Sequence, residues 1–275
     1  MNRSEQSYRE MEKYFLPPLT MPQESGTPRL IFVFASPGAG KSTYVKPVLN
    51  KLITHGAAVN LEIDELKTFI PAGLDIAKTA DAWFSRLVDK AVEERRSIII
   101  FRQRSMLRPG QTLGIYKKAK ACGYLTQASF VALDKERSRL GMVHRYEFAL
   151  DKAMREGTLD RENYPRKPDF LCHYIFYKAL PATLCACSLC KAVDIVDVYD
   201  RQGARLAYED KAAGVSSRLS PFRAVRHERT RGWNIWEINK FNRRRGEAET
   251  KMKEHGRSLF ERLKFRFLTA TFKNR

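Results

Sequence analysis

A lysine directly after a glycine and directly before two hydroxyl residues holds phosphate when a strand and a helix flank it. Residues 31–43 read IFVFASPGAGKST, and from Ala35 the order is A-x-x-x-x-G-K-S, the P-loop pattern with Ala in place of the first Gly. Gly38 and Gly40 let backbone N–H groups turn inward around phosphate oxygens, and a following helix N-terminus adds its positive dipole end. Lys41 is spaced to reach the β- and γ-phosphates, and the Ser42 hydroxyl to ligate Mg²⁺. Pro37 stiffens the entry. Ser36, Pro37, Gly38, Ala39, Gly40, Lys41, Ser42 and Thr43 are therefore the expected nucleotide-binding loop, with ATP or GTP as phosphate donor and Mg²⁺ as cofactor. The loop alone does not separate a kinase from an ATPase or GTPase.

A kinase also needs a base for the acceptor hydroxyl and cations for the moving phosphoryl group. The stretch AAVNLEID (57–64) reads as a short strand that delivers Glu62, Asp64 and Glu65 to its tip. Asp64 is the candidate base; a solvated acidic turn is the plainer reading of the same residues. The third apolar run ends in FRQRS, with Arg102 and Arg104 and no acid. The strand-terminal Asp of a Walker B motif is missing there, which leaves Mg²⁺ to Ser42, phosphate oxygens, water and the Glu62 or Asp64 carboxylate. Farther on come Arg137, Arg139, Arg145, Arg155, Arg161 and Arg166. Any one of them suits a solvated helix face; as a set they suit a lid that closes over the transferring phosphate.

The elements that must place these groups alternate in type. Strands are expected at 29–34, 57–64, 97–101 and 126–133, and helices at 1–15, from the P-loop to about Gly56 with a kink at Pro47, and at 78–95, 110–122, 135–155 and 170–191. Residues 193–209 alternate on either side of Asp200-Arg201-Gln202-Gly203 and read as a hairpin. This is an α/β pattern: a P-loop kinase-like parallel sheet flanked by helices, with a hairpin at its edge and a basic C-terminal helical extension. The expected division is 1–27 (N-terminal helix and linker), 28–210 (kinase domain) and 211–275 (basic, aromatic-containing helical tail).

Charge is uneven. The chain carries 50 Lys and Arg against 31 Asp and Glu, and 18 of those cations but only 6 of the acids follow residue 210. No apolar run is expected to span a membrane, and the polar MNRSEQSYREMEKYF start lacks the apolar core of a secretory signal. Five cysteines, an odd number, suit reduced thiols in the cytoplasm. CACSLC (185–190) with Cys172 and His173 invites a zinc reading, but helical spacing sends Cys185 and Cys187 to different faces, and small buried side chains are the simpler account.

EIDELKTFIP after the P-loop, then VHRYEFAL, RKPDFLCHYIFYKALPATL and VYDRQGARLAYE, follow one another in an order that resembles the zeta toxin family. Those proteins are P-loop kinases of toxin–antitoxin systems that phosphorylate UDP-N-acetylglucosamine on its sugar. The resemblance covers roughly 28–210. It implies that Lys41 is the ATP-binding lysine, Asp64 the catalytic Asp with Glu62 at the first acidic position, and Arg145 and Arg166 the phosphate-contacting arginines. Glu62, Arg104 and Arg161 are further substrate or lid residues. It also implies an antitoxin partner. The chain departs from the pattern at Phe101-Arg102-Gln103-Arg104, where an acidic residue, a small residue and Thr are usual. No clear counterpart of the substrate-binding Glu precedes the third strand; Ser85 or Asp89 occupies that region. Phosphate-handling groups thus match better than sugar-recognition groups.

The tail lies beyond that resemblance. RGWNIWEINKFNRRRG and RSLFERLKFRFLTATFK interleave aromatic residues with cations, which suits nucleic acid or an anionic membrane surface. Apolar residues at helical spacing equally suit packing on the kinase domain. Three readings stay open at this point: a kinase of a nucleotide sugar, a polynucleotide 5′-hydroxyl kinase that uses the tail, and a catalytically impaired nucleotide-binding module docked through it.

Overall fold

Runs of β-branched and aromatic residues without polar alternation are satisfied by burial on both faces of a sheet, and the structure buries them so. The computed structural model describes residues 3–18, 26–53, 58–158, 165 and 167–270. Strand β1 (Arg29–Ala35) is buried from Leu30 onward, and β3 (Ile98–Phe101) throughout. They join β2 (Val59–Glu62), β4 (Leu125–Val131), β5 (Ile195–Tyr199), β6 (Arg205–Asp210) and β7 (Val215–Ser216) in one seven-stranded sheet of order β2-β3-β1-β4-β5-β6-β7. Strands β1 to β5 run parallel, and β6 and β7 add antiparallel. The chain leaves β1 toward β2 on one side and leaves β4 toward β5 on the other. The crevice at their carboxyl ends is where ligands bind in open sheets of this kind.

Residues of alternate parity face two layers. Leu30, Phe32, Phe34, Ile98, Ile100 and Phe130 pack with helices α1 (Arg3–Phe15), α4 (Ile76–Glu93), α5 (Pro109–Ala121) and α7 (Phe170–Leu189). Ile31, Val33, Ile99, Phe101 and Val131 pack instead on Val45 and Leu49, from the segment after the P-loop. Tyr8, Met11 and Phe15 make α1 part of the first layer, with Tyr8 edge-on to Trp83 at 5.5 Å between ring centroids.

Several expectations shift. The helix after the P-loop begins as a π turn, Lys41–Val45, and becomes α-helical only over α2 (Lys46–Asn50). Pro47 therefore lies in the first turn of the α segment, where its missing N–H costs nothing, and does not kink a long helix. The expected cap at Gly56 lies outside the described residues. The second strand is shorter than expected, because Ile63 and Asp64 already belong to the one-turn helix α3 (Ile63–Leu66). Against expectation, α7 is long and apolar enough to cross a membrane by length and composition alone. Here it lies on the first layer with Phe176, Leu180, Leu184 and Cys187 buried.

The C-terminal region folds as three helices, α8 (Pro221–Thr230), α9 (Ile235–Glu254) and α10 (Leu259–Leu268). Helix α8 sets Ala224 and Val225 into the first layer, while α9 and α10 build a third core, in which Trp233, Phe241, Ala248, Met252 and Phe265 close on Leu140 and Val143 of α6 (Lys135–Arg155). At its centre the Arg137 guanidinium lies over Trp233 and pairs with Asp134, with Glu228 at 2.9 Å and with Glu237 at 2.7 Å. The packing alternative for the tail thus describes much of it. Trp236, Phe260 and Phe267 nevertheless stay exposed.

Candidate active site

The loop after β1 is shaped by its glycines. Gly38 and Gly40 have φ of 77° and 86°, in the left-handed region where a side chain is strained. Space is equally restrictive. A Cβ on Gly38 would lie 2.2 Å from the Ser138 carbonyl oxygen, and one on Gly141 would lie 2.4 Å from the Gly38 carbonyl oxygen. Loop and α6 meet backbone to backbone, and glycine is required on both sides.

Three side chains fasten that contact. The Ser138 hydroxyl donates to the Pro37 carbonyl at 2.7 Å and lies 2.9 Å from Ser36 Oγ and 3.0 Å from His173 Nε2. Its one proton goes to the carbonyl, so Ser36 and His173 must both donate to it, and His173 is the Nε2–H tautomer. His173 is fully buried, and desolvation, with Arg139, Arg229 and Lys135 nearby, pushes its pKa down to about 4. The ring is neutral at ordinary pH. In the sequence His173 invites a zinc reading beside Cys172, and Ser138 carries no signal of its own. Nothing in their local spacing points to the loop, because the contact joins residues about a hundred positions apart.

A cavity of about 510 Å³ opens beside Lys41 and Ser42, with Glu62, Asp64, Asp81, Arg102, Arg104 and Arg145 also on its wall. Glu62, at the tip of β2, accepts from Ser42 Oγ at 3.3 Å and from Lys46 Nζ at 2.8 Å. A hydroxyl and a carboxylate are hard oxygen donors that suit Mg²⁺, and a cation already rests on that carboxylate, so the residues fit this metal. Asp64 pairs with Lys67 at 3.0 Å and its side chain remains 68% exposed. Glu65 turns away to the Tyr14 hydroxyl. Burial and the Arg145 charge push the Lys41 pKa down, and Asp64 and Glu62 only oppose them. Two cations on the wall of one cavity are poised for a polyanion.

Of the four expected lid arginines among the described residues, three lie elsewhere. Arg145 reaches the cavity, but Arg137 sits in the third core, Arg139 donates to the Leu268 carbonyl, and Arg155 pairs with Asp151 at 2.8 Å. Arg137 and Arg139 tie α6 to the C-terminal helices, and Arg155 pairs within α6 itself. Arg161 and Arg166 lie outside the described residues. On α4, Ser85 hydrogen-bonds its own helix and Asp89 pairs with Lys118, so neither is the acid on the cavity wall. That acid is Asp81, which accepts from Arg102 at 2.6 Å and from Arg108 at 2.7 Å. Among the described residues no cluster of three or more His, Cys, Asp or Glu is arranged to hold a metal ion.

The profile of the zeta toxin family matches residues 18–212. No curated protein matches the chain in sequence. Among solved structures, a chain from the PezAT chromosomal toxin–antitoxin system of Streptococcus pneumoniae superposes with a TM-score of 0.66 at 16% identity, over 92% of this chain and 98% of that one. That share exceeds what residues 1–212 could supply, so part of the C-terminal helices has a counterpart there. A chain from the AvrRxo1-ORF1:AvrRxo1-ORF2 structure with sulphate ions superposes with a TM-score of 0.47 at 12% identity, over 97% of this chain and 81% of that one. With the P-loop, the parallel sheet and a profile match over well more than half its length, the chain belongs to the zeta toxin family of P-loop, kinase-like toxins.

Proposed function

We propose that the chain is a kinase that moves the γ-phosphate of ATP or GTP to a hydroxyl of a nucleotide sugar such as UDP-N-acetylglucosamine. The observation that carries this reading is the shared cavity whose wall holds Lys41, Arg145 and Asp64, with Lys41 close enough to feel the charges of the other two. Backbone N–H groups of 36–42 hold the donor's phosphates, and Lys41 and Arg145 take up charge on the transferring group. Mg²⁺, held by Ser42 and Glu62, supplies further charge neutralisation when bound. Asp64 accepts the proton of the acceptor hydroxyl as its oxygen bonds to phosphorus and the bond from phosphorus to the leaving diphosphate breaks. Arg166 is proposed beside Arg145 on the family resemblance alone.

The same resemblance supports a protein antitoxin as partner and a catalytic unit of 28–210, and the five cysteines suit a cytoplasmic setting. The exposed aromatic residues and cations of 211–275 support a contact with nucleic acid or an anionic membrane surface. The test is a phosphate-transfer screen over nucleotide sugars, nucleosides and oligonucleotides, with Lys41→Ala as blank. Asp64→Ala is expected to keep nucleotide affinity within about threefold and to lose at least about 100-fold in transfer rate. Transfer by Asp64→Ala at the wild-type rate removes Asp64 from the chemistry, and preferred transfer to a 5′-hydroxyl end replaces the nucleotide sugar with a polynucleotide.

A further inference from the structure

A second cavity lies behind α6, on the side away from the P-loop. Ser138, Gly141 and Arg145 recur at helical spacing and turn toward the loop and the first cavity, whereas Val143, Tyr146 and Glu147 lie on the opposite face. That face closes with Phe170 of α7, Met252 of α9 and Phe265 of α10 around a space of about 170 Å³. Its floor is apolar, since Val143, Met252 and Phe265 are all buried. Its mouth is charged, with Lys167, Arg257 and Lys264 against Glu147 and Glu261. Both acids are engaged. Glu147, its side chain 2% exposed, accepts from Arg257 at 3.2 Å and meets His255 Nδ1 at 2.6 Å. Glu261 accepts from the backbone N–H and the hydroxyl of Ser258 at 3.1 and 3.2 Å, which caps α10. Arg257 is spent on Glu147 and on the Tyr146 hydroxyl, at 2.5 Å. Lys167 and Lys264 are exposed at the rim and form no ion pair with an acid among the described residues.

Three cations against two acids leave one positive charge at the mouth of an apolar room. An apolar cavity of roughly 150 Å³ accepts a benzene ring, so the space here takes one ring or a chain of similar bulk. The single excess charge calls for a single negative charge on that apolar body. We propose that this cavity is an effector site for a small apolar monoanion, an aromatic or short aliphatic carboxylate. Lys167 and Lys264 take its carboxylate while its body rests on Val143, Met252 and Phe265, and filling the site strengthens nucleotide binding through α6. The coupling follows from the seat of the P-loop. Gly38 and Gly141 meet backbone to backbone with no slack, so a ligand that pins α6 from behind also pins the loop. The site is independent of the kinase reading and needs only a nucleotide at the P-loop.

The experiment is a ligand-observed NMR titration of the full chain, with the P-loop empty and again with Mg²⁺ and a non-hydrolysable ATP analogue. The probes are benzoate, benzamide, benzylammonium and acetate. Benzoate is expected to bind at least about tenfold more tightly than the other three, because benzamide and benzylammonium lack the negative charge and acetate lacks the apolar body. Lys264→Gln should weaken benzoate by about threefold to tenfold and leave benzamide unchanged. Lys264→Glu turns the excess charge at the mouth from positive to negative, and benzylammonium should then bind better than benzoate. The analogue is expected to raise benzoate affinity about fivefold, and benzoate to raise the affinity for the analogue by the same factor. Equal binding of benzoate and benzamide, no binding of benzoate, or indifference of benzoate to both Lys264 variants overturns the site. Loss of benzoate binding once the analogue is bound puts the probe in the P-loop cavity and overturns the site equally. A benzoate affinity that the analogue leaves unchanged overturns the effector role.

Discussion

At the scale of single residues, the active edge and the sheet interior handle charge in opposite ways. Lys41 and Arg145 are cations kept side by side near solvent, whereas Asp197 is an acid sealed in the middle of β5. Gln127 and Tyr199 both donate to Asp197 Oδ2, at 2.8 and 2.7 Å, and the Ser129 hydroxyl acts on the carboxyl in the same direction. Burial outweighs the donors and pushes the carboxyl pKa up to about 6. The sign follows directly. A folded-state pKa above the unfolded one means the folded state binds the proton more tightly, so stability from this group is present below about pH 4 and is lost as pH rises through about 6. Asp197→Asn cannot ionise and loses nothing over that window. Its stability relative to wild type is expected to improve by about 2.5 kcal/mol between pH 4 and pH 7.5. Urea unfolding of both proteins at each pH checks this, and a gap that does not change with pH would show that Asp197 is not strained by its charge.

At the scale of elements, the P-loop depends on α6 as much as on its own strand and helix. The loop itself was legible, since G-K-S between an apolar strand and a helix has few other uses. The tip of β2 was legible for the same reason. What could not be seen was the close seat of the loop on Gly141, or Asp81 on α4. Asp81 looks like one more polar residue on the solvent face of an amphipathic helix until Arg102 arrives at the end of β3. Arg137 and Arg139 show the converse: suggestive residue types whose partners lie on the C-terminal helices. The seat can be tested by one methyl group. Gly141→Ala puts a Cβ 2.4 Å from the Gly38 carbonyl oxygen, so loop and helix must part. ATP affinity is expected to fall at least about tenfold while helicity is retained, a loss near 1.4 kcal/mol. Gly246→Ala on α9 meets nothing within 4 Å and serves as the control; it should leave ATP binding alone and raise stability by up to about 1 kcal/mol. Equal ATP affinity in both variants would mean that the loop does not need this contact.

At the scale of the whole molecule, the question is whether the basic C-terminal helices are an appendage or part of the enzyme's frame. Charge alone suggested an appendage, and composition could not distinguish Trp233, 8% exposed, from Trp236, 79% exposed, three residues on. Packing does distinguish them: Trp233 touches Phe241 and lies under Arg137, while Trp236 faces solvent. The helix that receives Trp233 is α6, which carries Arg145 to the cavity and Ser138 and Gly141 to the P-loop. Loosening the third core should therefore be felt at the nucleotide. Trp233→Ala is expected to destabilise the chain by about 3–5 kcal/mol in a single unfolding transition, because the large side chain leaves a space the neighbouring helices cannot fill. Saturating ATP should raise its melting temperature, since the ligand binds only the folded form. Trp236→Ala should stay within about 0.5 kcal/mol of wild type. An appendage would behave otherwise: Trp233→Ala would melt in two steps, a low one blind to ATP and a high one at the wild-type temperature. That second pattern would separate the tail from the catalytic frame and leave its cations free for a partner.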